Sequence, residues 1–239
     1  MRDELFQKPL KALTEFEFND EVAAVFDDMI HRSIPFYDEV QKMVADFVDY
    51  FYRTPSDVVD LGCSTGTTIA YLAKHCQAPV TRFLGIDDAP AMLSKARSSF
   101  KDSRIEFVSG DIRHVDLGQP SVVLMNYTLQ FVRPLYRQHV LNRIHQALSP
   151  GGILILSEKV LEDATPLSRL FMEMYWKFKR RQGYSDMEIS RKRDQLENVL
   201  IPYTATENRE MLQRAGFAQS EIFFKWHNFA SFIAIKDNP

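Results

Sequence analysis

Cysteine is scarce in this sequence, since Cys63 and Cys76 are the only two among 239 residues. Two cysteines provide neither a disulfide framework nor a zinc constellation, so we expect a reducing compartment and no metal. No apolar run approaches the length of a membrane span, and the acidic start at residues 1–4 lacks the pattern of a signal peptide. These absences predict a cytoplasmic protein that does not enter a membrane.

The sequence also lacks an excess of basic residues and internal repeats. The formal net charge is -3, which argues against attraction of nucleic acid by the whole surface. The six histidines are scattered without the spacing of metal ligands. No repeat or Gly/Ser linker divides the chain, and a hydrophobic content of 45% is typical of a soluble globular protein.

Short apolar segments alternate with helical patterns from residue 57 onward. Strands are predicted near residues 58–59, 83–86, 105–108, 122–125 and 153–156. The alternation indicates a parallel sheet with helices on both faces, and the runs 221–226 and 229–235 are close enough to form an antiparallel pair. This order resembles the class I methyltransferase-like (Rossmann-like) α/β fold, a mostly parallel seven-stranded sheet that ends in a C-terminal antiparallel hairpin.

The chain is predicted to be a single methyltransferase-like domain over residues 1–239, with four parts. Residues 1–56 form an N-terminal helical lobe over the ligand, and residues 57–160 form the nucleoside-binding core. Residues 161–205 are a helical insertion, and residues 206–239 contain the last helix and the hairpin. Asn19 or Asp20 is placed to cap a helix of the first part, and residues 185–188 form a capping box in the third.

A glycine-bearing turn follows the first predicted strand. Its pattern is Asp60-x-Gly62-x-x-x-Gly66, with Ser64 where a dinucleotide fingerprint has its second glycine. A pyrophosphate site is therefore poorly supported. The pattern resembles the turn that binds S-adenosylmethionine, where no phosphate has to be held.

Polar residues also close the neighbouring strands. Asp87 ends the second strand, and a carboxylate can accept both hydroxyls of a ribose. Asp111 and Ile112 follow the third strand, where a carboxylate and a backbone N–H suit adenine. Asn126 closes the fourth and is placed to meet the methionine part. A helix cap at Asp60 and a turn at Asp87 are structural alternatives, but such groups at successive strand ends favour a nucleoside site.

A helical segment after the fifth strand carries a candidate anion-binding arginine. Arg193 lies four residues after Ile189 and three before Leu196, which predicts one shared helix face, with Lys192 pointing elsewhere. One alternative is a structural pair with Glu197. The other is a guanidinium that holds a ligand carboxylate in a bidentate fork.

The basic run at residues 177–184 has two interpretations. A solvated face is the simpler one, and RNA contact is the weaker one because acidic residues flank the run. The Tyr175-x-x-x-Lys179 spacing is similar to that of short-chain dehydrogenases. It lies after the fifth strand without the glycine fingerprint, so we attribute it to chance.

Segments spread from about residue 4 to residue 236 resemble the carboxy-S-adenosyl-L-methionine synthase family. In chain order they are Arg-Ser-Ile-Pro-Phe-Tyr at 32–37, Asp-Leu-Gly-Cys-Ser at 60–64, Asn-Tyr-Thr-Leu-Gln-Phe at 126–131, Leu-Ser-Glu-Lys at 156–159, Gly-Tyr-Ser at 183–185, and Lys-Arg with Leu-Glu-Asn-Val within 192–199. The strand-end motifs are shared with many methyltransferases, whereas Leu-Gln-Phe, Ser-Glu-Lys and Lys-Arg with Leu-Glu-Asn-Val are far more specific. Two departures are the threonines at 65, 67 and 68, which make the turn more polar, and Phe36 in place of a smaller residue.

The resemblance implies a transferase that converts S-adenosyl-L-methionine and prephenate to carboxy-S-adenosyl-L-methionine, phenylpyruvate and water. The nucleoside is a substrate, its carboxylated form is the product, and no metal takes part. A sulfonium acidifies its own methyl group, and the resulting ylide captures carbon dioxide from prephenate in a water-poor pocket. The departing hydroxide is the implied base. The product supplies a tRNA carboxymethyltransferase that modifies the wobble uridine, and direct tRNA binding by this chain is not expected.

The resemblance also assigns site residues by position. The implied nucleoside-binding residues are Tyr37, Gly62, Cys63, Ser64, Asp87, Asp88, Asp111, Ile112, Asn126 and Arg193. Arg193 is the implied catalytic residue, because it binds the new carboxylate, either within its own chain or from the other subunit of a homodimer. Residues 179–181 are candidates for the two carboxylates of prephenate. The alternatives are a methyltransferase of a small molecule or RNA, and a catalytically silent nucleoside-binding protein.

Overall fold

Helices cover both faces of a mixed sheet in the computed structural model, which describes residues 1–7, 16–162 and 165–238. The helices are α1 (Asp20–Ser33), α2 (Tyr37–Phe51), α3 (Thr67–His75), α4 (Pro90–Ser99), α5 (Pro134–Ala147), α6 (Thr165–Arg181), α7 (Asp186–Leu196) and α8 (Ala205–Ala215). The strands are β1 (Asp57–Leu61), β2 (Arg82–Asp87), β3 (Ile105–Ser109), β4 (Val122–Asn126), β5 (Ile153–Leu161), β6 (Tyr203–Thr204), β7 (Gln219–Trp226) and β8 (Phe229–Ile235).

The sheet has the strand order β3-β2-β1-β4-β5-β8-β7. The first five strands of this path are parallel, and β8 runs antiparallel to both β5 and β7. The predicted seven-stranded sheet with its C-terminal hairpin is therefore confirmed, and β6 adds an unpredicted two-residue pairing with β5. The chain order reverses between β1 and β4, and ligands of open α/β sheets bind at such a switch point, outside the carboxyl ends of the strands.

Two hydrophobic cores lie on opposite faces of the sheet because successive strand residues point in opposite directions. Val58 and Val59 are both fully buried, yet Val58 packs in the core that contains α2 and α3, whereas Val59 packs in the core with α5 and α8. Burial on both sides explains why the predicted strands are continuous apolar runs rather than alternating ones. The two cores together hold the carboxyl ends of β1, β2 and β4 in fixed positions.

The N-terminal lobe has a third, smaller core at the carboxyl edge of the sheet. Asn19 caps α1, since its Oδ1 accepts a hydrogen bond of 3.1 Å from the Val22 backbone N–H. Apolar side chains of this lobe, including Phe16 and Met29, pack with Met92 of α4. The predicted N-terminal helix is confirmed, and it lies beside the ligand edge of the sheet.

The segment after β5 folds as two successive helices, as predicted. The capping box at the start of α7 is present, because the Glu188 carboxylate accepts from the Ser185 backbone N–H at 2.8 Å and the Ser185 hydroxyl accepts from the Glu188 N–H at 3.3 Å. Within the described ranges, no helix is long and apolar enough to cross a bilayer. The division of the chain into four functional parts remains a prediction.

Candidate functional site

A cavity of about 440 Å³ lies at the carboxyl edge of the sheet, between the strand ends, α1 and α7. Its volume is typical of a small-molecule site. Nine of the ten predicted nucleoside-binding residues line it: Tyr37, Gly62, Cys63, Ser64, Asp87, Asp88, Asp111, Ile112 and Asn126. The tenth, Arg193, does not. The structure therefore brings together the strand-end groups that the sequence singled out.

The turn between β1 and α3 presents its backbone to the cavity. Gly62 and Ser64 have φ values of 75° and 50°, and the backbone N–H groups of Gly62 and Cys63 both donate to the Ile86 carbonyl, at 2.8 and 3.1 Å. A Cβ atom added at Gly62 would lie 2.4 Å from the Thr128 side chain. Burial raises the pKa of the Cys63 thiol above its ordinary value, so this thiol stays protonated and is not a nucleophile.

Asp87 holds the turn and faces the cavity. Its Oδ2 accepts from the Ser64 backbone N–H and its Oδ1 from the Ala89 N–H, each at 2.8 Å. Each oxygen keeps a further lone pair, which suits two adjacent hydroxyl donors. Burial raises the pKa of Asp87 although these two hydrogen bonds act in the opposite direction. A ligand that donates hydrogen bonds here stabilises the anion.

Asp60 and Asn126 mark a polar region beside the ends of β1 and β4. Burial, followed by repulsion from Asp87, raises the pKa of Asp60 to about 7. The buried Asn126 side-chain amide has no hydrogen-bond partner among the described residues. Because an unpaired buried amide is destabilising, this geometry fits a ligand with polar groups at the same place.

Asp111 and Arg113, which follow β3, also line the cavity. Nε of Arg113 lies 2.9 Å from both carboxylate oxygens of Asp111. This ion pair lowers the pKa of Asp111 to about 2. Arg113 also lies over the Tyr136 ring, with 5.0 Å between the guanidinium carbon and the ring centroid. Asp111 is ionised and keeps lone pairs for an exocyclic amine, although Arg113 already occupies part of the carboxylate.

Two of the threonines that make the turn unusually polar tie it to the N-terminal lobe. The Thr65 hydroxyl donates to the Asp27 carboxylate of α1 at 2.7 Å. The Thr68 hydroxyl lies 3.3 Å from the hydroxyl of buried Tyr37. Both contacts hold the lobe against the turn, so these departures from the family pattern have a structural explanation.

The predicted orientation of α7 is wrong. Arg193 is 58% exposed and pairs with Asp194 at 2.9 Å rather than with Glu197, whereas Lys192 is buried and lines the cavity. Lys192 is three residues after Ile189 and four before Leu196, so the spacing of the apolar residues fits either position. The proposed role of Arg193 toward a carboxylate remains a prediction, but its guanidinium does not reach its own cavity.

Two further residues that line the cavity, Lys159 and Tyr175, are not among the site residues predicted from the sequence. Lys159 belongs to the Ser-Glu-Lys motif and lies within β5, close to its end. Its position three residues after the predicted strand at 153–156 is the available signal. Tyr175 belongs to the Tyr-x-x-x-Lys spacing that we attribute to chance, yet the Lys179 ammonium lies 5.8 Å from the centroid of the Tyr175 ring. No group of three or more His, Cys, Asp or Glu side chains in the described ranges is arranged to hold a metal ion.

The chain is similar in sequence to known proteins over nearly its whole length. Residues 58–152 match the family model described as a methyltransferase domain. The chain is 47% identical to the carboxy-S-adenosyl-L-methionine synthase of Wolinella succinogenes, with 99% of each chain covered. It is 41% identical to that of Nautilia profundicola, over 99% of this chain and 100% of the relative. The corresponding protein of Desulfotalea psychrophila is 42% identical, over 100% and 98%.

Solved structures support the fold. Human N-acetylserotonin methyltransferase in complex with SAM superposes with a TM-score of 0.64 at 16% identity, covering 92% of this chain and 56% of that one. CalS10 from Micromonospora echinaspora, an amino pentose methyltransferase with bound SAM, gives a TM-score of 0.63 at 15% identity, covering 88% and 96%. At these identities the likeness concerns the fold alone.

Proposed function

Because the chain belongs to the carboxy-S-adenosyl-L-methionine synthase family, we propose that it converts S-adenosyl-L-methionine and prephenate to carboxy-S-adenosyl-L-methionine, phenylpyruvate and water. One observation carries this proposal. A single cavity is lined by three carboxylates, Asp60, Asp87 and Asp111, and by two ammonium groups, Lys159 and Lys192. A cationic nucleoside suits the carboxylates, and an anionic second substrate suits the ammonium groups.

The residues present fit an S-adenosyl nucleoside. Asp87 would accept the two ribose hydroxyls, and Asp111 with Ile112 would contact adenine. The unpaired Asn126 amide would bind the methionine part, which would satisfy both of its polar atoms. Asp60 would offset the positive charge of this part of the ligand. We treat these assignments, and those of Tyr37, Gly62, Cys63, Ser64 and Asp88, as part of the proposal.

The proposed chemistry places modest demands on the protein. The sulfonium of the nucleoside supplies an acidic methyl group, and the hydroxide that leaves prephenate takes its proton to give water. The new carbon–carbon bond forms to the carbon dioxide that prephenate releases. Burial raises the pKa values of Tyr37, Tyr127 and Tyr175, so these phenols stay protonated and do not compete as bases. Aromatic walls, including Phe18 and Phe131, limit access of water to the site.

Product analysis tests the proposal directly. The purified protein, incubated with S-adenosyl-L-methionine and prephenate, is expected to give a nucleoside heavier by one carbon dioxide, together with an equal amount of phenylpyruvate. Mass spectrometry measures the first product and ultraviolet absorption the second. The reaction without prephenate is the control. Formation of S-adenosylhomocysteine with a methyl acceptor, and no carboxylated nucleoside, would support the methyltransferase alternative instead.

Nucleoside binding is expected to depend on pH through Asp60. Its pKa near 7 means that the free site is protonated below that pH, whereas the bound cation favours the carboxylate. Affinity for S-adenosyl-L-methionine should therefore rise with pH, by up to about ten-fold per unit below 7. Calorimetric titrations between about pH 5.5 and 7.5 measure this slope, and Asp60→Asn should reduce it to the part that Asp87 contributes. A slope unchanged in that variant would contradict the assignment of Asp60.

The proposal includes a homodimer that works in the cytoplasm. An exposed arginine outside its own cavity is available to the site of a second copy. Apolar side chains that are 40–48% exposed also lie at the end of β5 and on α6: Leu161, Leu167, Leu170 and Met172. Both features support contact with a second subunit. The carboxylated nucleoside would then serve a separate tRNA carboxymethyltransferase.

A further inference from the structure

Two ammonium groups, those of Lys159 and Lys192, line the same cavity as the strand-end carboxylates. Lys192 is 8% exposed, and its Nζ donates to the Ser33 hydroxyl at 3.2 Å. Lys159 is half-buried, with its Nζ 5.3 Å from the centroid of the Tyr175 ring. Among the described residues, no carboxylate lies within 4.0 Å of either Nζ atom. A buried cation without an anionic partner is costly, so the pair is poised for an anionic ligand.

Lys192 and Tyr175, whose ring lies beside Lys159, both form hydrogen bonds with Ser33, the last residue of α1. The Tyr175 hydroxyl of α6 donates to the Ser33 backbone carbonyl at 3.0 Å, while Lys192 of α7 donates to its side chain. Three helices therefore meet at this residue. Lys179 does not line the cavity, and its Nζ lies 4.9 Å from the Tyr184 ring centroid.

The acidic groups of this region are already engaged. Asp3 accepts a hydrogen bond from the Tyr184 hydroxyl, and Glu188 accepts two from Ser185 in the capping box. Asp28 pairs with Arg32 at 3.1 Å. Positive charge on the lysines is therefore only partly compensated. Burial is the main reason that the pKa falls to about 8 for Lys192 and to about 6 for Lys179, and it also lowers the pKa of Lys159.

The lysines lie on the side of the site where the methionine part of a nucleoside would end. Asn126 of β4 is paired in register with Ser157 of β5, and Lys159 follows two residues later on the same strand. Aromatic rings of Tyr37, Tyr127 and Phe229 line the cavity with it. A second substrate with carboxylates and a carbocyclic ring would find both cations and apolar contact here.

We propose that Lys159 and Lys192 form the subsite that binds the dianionic second substrate through its carboxylates, with the Tyr175 ring beside Lys159. This inference rests on the proposed function, in which that substrate is prephenate. The reaction removes one carboxylate from the bound molecule, since its carbon dioxide moves to the nucleoside and phenylpyruvate keeps a single negative charge. The subsite therefore holds the substrate more tightly than the product, which favours product release.

Lysine-to-methionine variants test this subsite. Lys159→Met and Lys192→Met should each raise the KM for prephenate roughly ten- to hundred-fold, because each removes charge-assisted hydrogen bonds. The Kd for S-adenosyl-L-methionine should stay within about two-fold of that of the unchanged protein, as calorimetry measures it. Lys177→Met is the matched control, since Lys177 is exposed on α6 and does not line the cavity. Both test variants should unfold at or above the original temperature, because they remove poorly compensated buried charge.

A binding experiment separates this inference from the proposed reaction. S-adenosylhomocysteine has no transferable methyl group, so prephenate binding to that complex can be measured without turnover. We expect the prephenate dianion to bind this complex, and we expect this binding to be lost in the double variant Lys159→Met/Lys192→Met. Binding should be accompanied by proton uptake at neutral pH, because buried Lys179 gains charge. It should weaken above pH 8, because Lys192 loses its charge.

Each result has one meaning. Product formation with an unchanged KM in the double variant overturns the subsite and leaves the reaction intact. Lysine-dependent prephenate binding without any carboxylated product overturns the reaction and leaves the anion subsite intact. An equal loss of nucleoside affinity in the double variant would show that the lysines are structural, and this outcome also overturns the subsite.

Discussion

Gly62→Ala is expected to lower the free energy of unfolding by about 2–5 kcal/mol and to abolish measurable binding of S-adenosyl-L-methionine. Two effects contribute. A left-handed conformation costs an L-residue about 1–2 kcal/mol, and Gly62 has φ 75°. The new Cβ would also lie 2.4 Å from the Thr128 side chain, and such overpacking typically costs about 1–3 kcal/mol more. Denaturant unfolding and calorimetric titration measure the two losses.

Gly118→Ala is the matched control for this variant. Gly118 also has a positive φ, 63°, but a Cβ added there meets nothing within 4 Å. It should lose only the conformational part, about 1–2 kcal/mol, and bind the nucleoside normally. If the two variants lost equal stability, and both bound the nucleoside, crowding of the turn against Thr128 would not be the reason for a glycine at 62.

The fold was accessible from the sequence because its strands are buried on both faces. A strand buried on both faces, such as residues 122–125, is a continuous apolar run without polar positions. Such a run is easily distinguished from the patterns of the amphipathic helices around it. The antiparallel hairpin followed from two adjacent runs separated by residues 227–228. Pairing of β6 with β5 was not predicted, since two residues carry no periodicity and depend on tertiary contact alone.

The strand-end part of the site was accessible for a related reason. In a parallel sheet, residues that end successive strands meet at one edge, so Asp87, Asp111 and Asn126 could be placed together from their positions alone. The cationic part was not, because it depends on how α6 and α7 lie across that edge. On α7, Lys192 and Arg193 both fit the spacing of the apolar residues, and burial of Glu188 and Lys192 one turn apart decides which side faces the cavity.

Arg193→Leu is expected to keep the affinity for S-adenosyl-L-methionine and to lose about ten- to hundred-fold of the preference for its carboxylated form. The reason is that a guanidinium fork recognises only the added carboxylate. Competition titrations with the two nucleosides measure this preference. Arg209→Leu is the matched control, because Arg209 is also exposed and pairs with a surface carboxylate, Glu221, at 2.7 Å. Equal loss of affinity for both nucleosides would show that Arg193 has a structural role.

The exposed position of Arg193 also predicts that this residue acts on the site of a second copy. An arginine 58% exposed and outside its own cavity can act on a ligand only if a second copy brings it there. Mixed dimers of Arg193→Leu with Asp87→Ala should then regain activity, to about a quarter of the original after random exchange, because one site per mixed dimer combines an intact Asp87 with an intact Arg193. If Arg193 acted within its own chain, every site would lack one of the two groups, and mixing the variants would restore nothing.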